Sequence, residues 1–445
     1  MRHGSIASSV LARQFQATTS RFFAQLADRA ERELRGADQI AWLDRLDRDI
    51  QNIRQALSWC IARGESDLAL RISGRIGWFW NTRGRPREGF EWATRALALP
   101  GDPWSAERAN TASRAARCAW FLDDHQAHDR LLREALEIWD HNQDQLGTVR
   151  GLNYRIGQLW RDGNTREATN LQRASMDLFR AAGHWGLVSD GLAGLALASR
   201  EEGDDAAATA HLQEALETVE QSHDISTYAF VSIHLAGQMH YNGDVQASIR
   251  HAGEGERVAW LLGDKDLAAN AIYERAIANL EAVNLTSALA LFQESEELFV
   301  ECDTPRDATL SALYAAGIRV TMGDPGTGAI AFTRAFAELR ARGWAEDRFL
   351  CAEAGSGLAM ALGRNAEVLR LIGYATRQRA QAGLRRTPFE SSRVASLEAM
   401  ASRSLGDAVA RQVTTDGEGL SEEEVFNLLD NLAEAARQAA APGTT

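Results

Sequence analysis

Apolar positions along most of the chain recur at helical spacing. In residues 206–219 (AAATAHLQEALETV) they fall at Ala208, Leu212, Ala215, Leu216 and Val219, one face of a helix. No window sustains an alternating apolar and polar order, so no sheet is expected and helix should exceed about 65% of residues. Short turns punctuate the helices in two series. The first runs through Gly163, Gly203, Gly243, Gly323 and Gly363, with Val283 standing where a glycine is missing and Gly84 one residue out of phase. The second runs through Gln143, Gly183, His223, Gly263, Cys302, Gly343 and Gly383. The period is 40 residues, and two turns per period leave two segments of about 15 residues, each an ordinary helix length. Glycine suits the left-handed end of one helix, and the Asp or Asn after it caps the next. Five residues after each first-series turn comes a small residue: Ala168, Ala208, Ser248, Ala288 and Gly328. It permits one close backbone approach per period. A single helix pair cannot bury its apolar face alone, so neighbouring pairs must stack. The expected fold is an all-α, right-handed α-solenoid of helix pairs.

Composition narrows the function. The 445 residues are 45% hydrophobic and 24% charged, with only 7 prolines. Basic residues number 48 and acidic residues 61, for a net charge of −13. Such a chain is a poor general binder of nucleic acid or anionic membrane. Lys265 is the only lysine, and its surroundings (LLGDKDLA) exclude a Walker A phosphate loop. Cys60, Cys118, Cys302 and Cys351 form no C-x-x-C and have no metal-ligand spacing with histidine, so they read as buried thiols in a reducing cytoplasm. No apolar run reaches membrane-spanning length, and the N-terminus is too polar for a signal peptide. A soluble, cytoplasmic protein is expected.

The 40-residue pattern resembles the tetratricopeptide repeat in its longer form. Residues 21–100 (RFFAQLADRAERELRG…EWATRALALP) are similar to the segment opening the helical sensor region of bacterial STAND-class ATPases and LuxR-type transcriptional regulators. EAGSGLAMALGRNAEVLRLIGYATRQRAQAG (353–383) and GLSEEEVFNLL (419–429) resemble that region's closing repeat and final helix. In the family, an ATPase domain and winged helix precede the sensor, and some members add a DNA-binding helix-turn-helix. The resemblance therefore implies the sensing half alone, relaying its signal to a separate partner. The expected organisation is a lead segment at 1–20, a helical cap and first pair at 21–100, and seven 40-residue pairs at 101–383. A C-terminal cap at 384–431 and a flexible tail at 432–445 follow.

Candidate recognition residues follow from the period. Three residues before each first-series turn stands a column: Trp80, Trp120, Trp160, Arg200, His240, Leu280, Val320 and Met360. One reading is a core column of large side chains. The other is a groove wall, since repeats of this class place that end of the first helix near the concave side. Arg200 and His240 favour the wall, because an unpaired charge is costly to bury. Trp120, Trp160, Arg200 and His240 are expected to share it. Nine of the twelve tryptophans lie between Trp42 and Trp160, and Trp78 joins the candidates as a stacking surface. Tyr154, Tyr241 and Tyr273 sit in first helices, where a phenol suits a half-wet groove. His234 and His240 lie six apart on different helical faces, so a shared metal is not expected, but both are placed to titrate near neutral pH. In LDDHQAHDR (122–130), His125 and His128 have metal-like spacing; Asp123 or Asp124 is more simply a helix cap. GSG at 355–357 is not a nucleophile elbow, because Ala354 precedes it. No catalytic residue, metal or cofactor is assigned. The expected function is a non-catalytic recognition module holding a peptide, a partner protein or a small effector. A stand-alone small-molecule binder or enzyme of specialised metabolism on the same scaffold is the alternative.

Overall fold

In the computed structural model the chain is 86% helical, and the described residues contain no strand. The structure describes residues 2–161, 164–181, 183, 185–342 and 347–440; the side chains of 2–13, 145, 146, 148–150, 160, 161, 165, 220 and 222 lie outside that description. Among the described residues there are 22 helices. The first five are α1 (Arg2–Glu33), α2 (Gln39–Arg63), α3 (Ser66–Arg75), α4 (Gly77–Thr82) and α5 (Pro86–Leu97). Seven 40-residue pairs follow. They are α6 (Ala106–Phe121) with α7 (His125–His141), α8 (Gln145–Arg161) with α9 (Thr165–Ala181), and α10 (Trp185–Glu202) with α11 (Asp205–Ser222). Then come α12 (Ile225–Asn242) with α13 (Val245–Leu262) and α14 (Lys265–Glu281) with α15 (Leu285–Glu301). The last pairs are α16 (Pro305–Thr321) with α17 (Pro325–Arg342) and α18 (Arg348–Ala361) with α19 (Asn365–Ala382). Helices α20 (Pro388–Leu405), α21 (Asp407–Glu418) and α22 (Glu422–Ala440) close the chain. The fold class is an all-α solenoid of tetratricopeptide-like pairs.

The turn series explains the period. Gly203, Gly243, Gly323 and Gly363 all have positive φ, as do Gly183, Gly263 and Gly383 in the second series. Gln143 and His223 adopt the same left-handed conformation without being glycine. Near residue 302 the left-handed residue is Asp303, one position beyond the expected Cys302. Gly163 and Gly343 lie outside the described residues. Aspartates then cap the following helices: Asp204 accepts from the Ala207 N–H, Asp244 from Ala247 and Asp324 from Thr327. Val283 takes φ +60° in the exposed turn before α15, where a β-branched side chain is strained by about 1–2 kcal/mol. Val283→Gly is expected to raise stability by about 0.5–1 kcal/mol after the extra backbone entropy of glycine is set against the relieved strain. The check is the urea midpoint at unchanged slope; a lower midpoint would show that the turn carries no strain.

The small-residue column is fully buried at Ala168, Ala208, Ser248 and Ala288. At Gly328 an added Cβ would stand 2.7 Å from Val320 Cγ2 and 3.0 Å from the Ala316 carbonyl oxygen, so the close approach is real. In the 122–130 cluster, Asp124 caps α7 by accepting from the Ala127 N–H at 2.9 Å. His125 meets Asp123, and His128 is bound to the Ala116 carbonyl at 2.9 Å. All four cysteines are buried and unlinked. No described helix is long and apolar enough to cross a membrane. The segment expected as a flexible tail is helical as far as Ala440: Leu432, Ala433 and Ala436 bury their side chains, because α22 continues its apolar stripe against α17 and α18.

The chain divides into two compact units. Unit 1 comprises 1–198, 210–231 and 257–267; unit 2 comprises 199–209, 232–256 and 268–445. The core of unit 1 is centred on Leu43, Leu57, Phe79, Trp80 and Trp139, that of unit 2 on Phe332, Phe336, Leu369, Tyr374 and Leu429.

Candidate functional site

Each unit contains a cleft lined by first helices of its pairs. In unit 1 it has a volume of about 490 Å³ and is bordered by the α1–α2 turn, α4, α6, α8 and the start of α10. Arg35, in that turn, is fixed by a far-off carboxylate: its Nε donates to Asp224 at 2.6 Å and its Nη2 donates to Thr227 at 2.9 Å. Asp224 is 1% exposed and also caps α12, accepting from the Ser226 and Thr227 N–H groups. Burial opposes its ionisation, but the Arg35 charge and the Thr227 donors hold its pKa below the usual carboxylate value. Arg35 and Arg117 both lie over the Trp78 indole, each 4.6 Å from the ring centroid. Among the described residues neither Arg117 nor Arg114, one turn away on α6, forms an ion pair within 4 Å, although the buried Asp190 that lines the cleft feels the charge of Arg117. Asn110 and Asn153 border the same space with side-chain amides that have no hydrogen-bond partner among the described residues. Tyr154 and Trp185 complete the aromatic lining.

In unit 2 a cavity of about 270 Å³ is lined by α12, α14, α16 and α18 and closed by residues 384–393. Arg200 and Arg385 lie over the Tyr241 ring at 4.8 and 5.5 Å. Arg385 is paired with Asp205 at 2.7 Å. His240 is 5% exposed and bridges two carboxylates: Nδ1 lies 2.9 Å from Glu281 and Nε2 3.0 Å from Glu274. Burial alone would lower its pKa, but the two carboxylates outweigh that and raise it to about 9. Tyr273 and Tyr314 meet edge to face, 5.9 Å between centroids, and burial raises the pKa of both phenols. The closing segment is held by Arg379, whose guanidinium binds Glu353 at 2.9 and 3.0 Å and Glu390 at 3.1 Å.

The structure thus brings Arg200, His240, Tyr241 and Tyr273 around one cavity, and Trp78 and Tyr154 around another. Trp120, 40% exposed, lines neither and packs beside His125 and His128. The Trp160 side chain lies outside the described residues. His234 is half-buried and lines neither cavity; burial, with Arg200 second, pulls its pKa down to about 4. Neither His234 nor His240 therefore titrates near neutral pH, because one is desolvated beside a cation and the other is clamped by anions. The column is mixed: Trp80, His240 and Val320 are buried, while Arg200, Leu280 and Met360 are half-buried. Sequence reasoning missed Arg35, Asn110, Arg114, Arg117 and Asn153 in unit 1, and Arg379, Arg385 and Arg393 in unit 2. One signal was available: Thr387-x-x-Glu390 is a capping box, and both of its bonds are present.

No protein-family model matches the sequence, and no curated protein matches it. A Rap protein complexed with Competence and Sporulation Factor is similar in structure, with a TM-score of 0.57 at 11% identity, covering 82% of this chain and 98% of that one. A STAND protein with a tetratricopeptide repeat sensor from Pyrococcus horikoshii aligns at 15% identity and TM-score 0.41, over 66% of this chain and 45% of that one. A human IFIT1 dimer with PPP-AAAA aligns at 13% identity and TM-score 0.47, over 94% of this chain and 95% of that one. The Rap likeness establishes the helical-repeat fold class. The two weaker alignments add nothing to it, and the narrower kinship with STAND and LuxR-type proteins is not established by them.

Proposed function

We propose that this chain is a non-catalytic recognition module of a regulatory system, and that the unit 1 cleft receives a peptide segment carrying a carboxylate. The observation that carries this reading is the combination of two amides, Asn110 and Asn153, with Arg114 and Arg117, which form no ion pair within 4 Å among the described residues. A side-chain amide offers a donor and an acceptor together, the complement of a peptide group. Guanidinium groups bind a carboxylate by charge-assisted hydrogen bonds. Trp78, under the Arg35 and Arg117 guanidinium groups, holds those two charges at the cleft. The cleft volume falls in the range of ligand pockets. The fold likeness to a Rap protein crystallised with Competence and Sporulation Factor is consistent with a ligand-receiving scaffold. The sequence resemblance adds a relay role toward a separate partner chain, and the acidic net charge argues against a nucleic-acid or membrane partner.

A library of pentapeptides, made as free acids and as C-terminal amides, tests the reading by fluorescence polarisation. Binders tighter than about 100 μM are expected, weakened about tenfold or more by Asn110→Ala combined with Asn153→Ala, and likewise by Arg114→Ala. The melting temperature should stay near that of the parent, because these side chains make no hydrogen bond or ion pair among the described residues. Failure of every peptide to bind, or binding indifferent to these changes, would overturn it.

A further inference from the structure

Two guanidinium groups that border the cavity of unit 2 form no ion pair among the described residues. Of the arginines around it, Arg385 is matched by Asp205, and Arg379 by Glu353 and Glu390. The His240 proton lies between Glu274 and Glu281. Arg200 and Arg393 remain. Among the described residues neither forms an ion pair within 4 Å, and the Nε of Arg393 is buried with no hydrogen-bond partner. Arg200 lies over the Tyr241 ring. Two guanidinium groups without an ion pair among the described residues thus border one small cavity. The remaining lining supplies donors and apolar surface together: the phenols of Tyr241 and Tyr273, and the side chains of Phe389 and Leu384.

We propose that this cavity binds a small organic carboxylate with an apolar body, its anionic end met by Arg200 and Arg393 and its body lying against Phe389 and Leu384. Two guanidinium groups without an ion pair call for an anion, and the Tyr241 hydroxyl adds a donor to it. Apolar walls give a bare inorganic anion no benefit, whereas they remove the body of an aromatic or short-chain acid from water. The closing segment supports the same assignment. Arg385 donates from Nε to the Arg200 carbonyl oxygen at 3.0 Å, so the turn that completes the cavity is tied to the helix end that carries Arg200. The site uses none of the residues of the unit 1 cleft and stands whether or not a peptide binds there.

Ligand-observed NMR saturation transfer and calorimetry on the full chain give the test. The probes are sodium benzoate, sodium hexanoate, benzamide as the neutral isostere of benzoate, and inorganic phosphate. Benzoate or hexanoate should bind with a Kd below about 1 mM, at least about tenfold tighter than benzamide or phosphate. Arg200→Gln and Arg393→Gln should each weaken carboxylate binding about tenfold or more, and Arg393→Lys should retain more of it than Arg393→Gln. Arg133→Gln, at an exposed position of α7 that lines neither cavity, should leave it unchanged. Each variant is compared with the parent by circular dichroism, and Arg393→Lys keeps the test open if one glutamine variant fails to fold. Three results would overturn the assignment: no carboxylate binding up to 20-fold above that limit, equal binding of benzamide, or phosphate binding as tightly as benzoate. Carboxylate binding that survives both glutamine changes would overturn it as well. Loss of peptide binding in the unit 1 variants, with benzoate binding intact, would separate the two sites.

Discussion

Replacing Glu353 by alanine should destabilise unit 2 by about 3–5 kcal/mol, because it strands buried positive charge. Glu353 is 2% exposed on α18. Its Oε1 accepts from Arg379 Nε at 2.9 Å and from Arg386 Nε at 2.8 Å, while Oε2 accepts from Arg379 Nη2 at 3.0 Å. Arg379 is 6% exposed, lies over the Phe349 ring and donates to the Arg385 carbonyl. One carboxylate therefore ties α18, α19 and the segment leading into α20. Removing it leaves two guanidinium groups facing each other with only Glu390 to share. The loss should appear as faster amide exchange across α18–α20, by about two to three orders of magnitude. Changing both partners, Glu353→Leu with Arg379→Met, should recover much of the loss, since no unpaired charge then remains. A loss below about 1 kcal/mol for Glu353→Ala would show that the network is solvated rather than buried.

The second large effect is a pH dependence set by His240. Its pKa in the folded chain is raised to about 9 from an ordinary 6.5. A raised pKa means that the folded state holds the proton more tightly than the unfolded chain. The stabilisation is therefore fully present below about pH 6.5 and is lost as pH rises through about 9. Two and a half units correspond to roughly 3 kcal/mol. Urea unfolding of the parent should show stability declining over pH 6.5–9.5 by about that amount more than a His240→Gln variant does. The variant itself should be less stable at pH 6, because Glu274 and Glu281 then confront each other without a cation. Parallel pH profiles for parent and variant would contradict the bridged geometry.

Parts of both sites were legible in the sequence. The 40-residue column pointed to Arg200 and His240, which do share a cavity with Tyr241 and Tyr273. The partner of His240 was within reach of the same reasoning: Glu281 lies 41 residues on, one repeat away. What the column could not show was burial. Trp80 and Trp120 occupy equivalent positions, yet Trp80 is 1% exposed and Trp120 is 40% exposed. Trp80 lies close over Gly89 of α5 and edge to face with Phe79, whereas Trp120 packs beside His125 and His128, and the period does not specify these neighbours.

The sequence alone determined the helices, their pairing and the turns between them. Those features are local: a left-handed residue, an aspartate cap and an apolar stripe each act within a few residues, and repetition at 40-residue intervals amplifies the signal. Even Val283, a poor turn residue, is forced into the left-handed conformation by its place in the series. The tertiary structure decided which charges are matched. Arg35 meets Asp224 across 189 residues, and Arg385 meets Asp205 across 180. Both contacts come from elements outside the periodic pairs folding back onto them. Such contacts have no fixed spacing, and a guanidinium reads the same in sequence whether a carboxylate awaits it or not. Only the assembled fold therefore distinguished Arg379, which is held by Glu353, from Arg200 and Arg393, which border the cavity without an ion pair among the described residues.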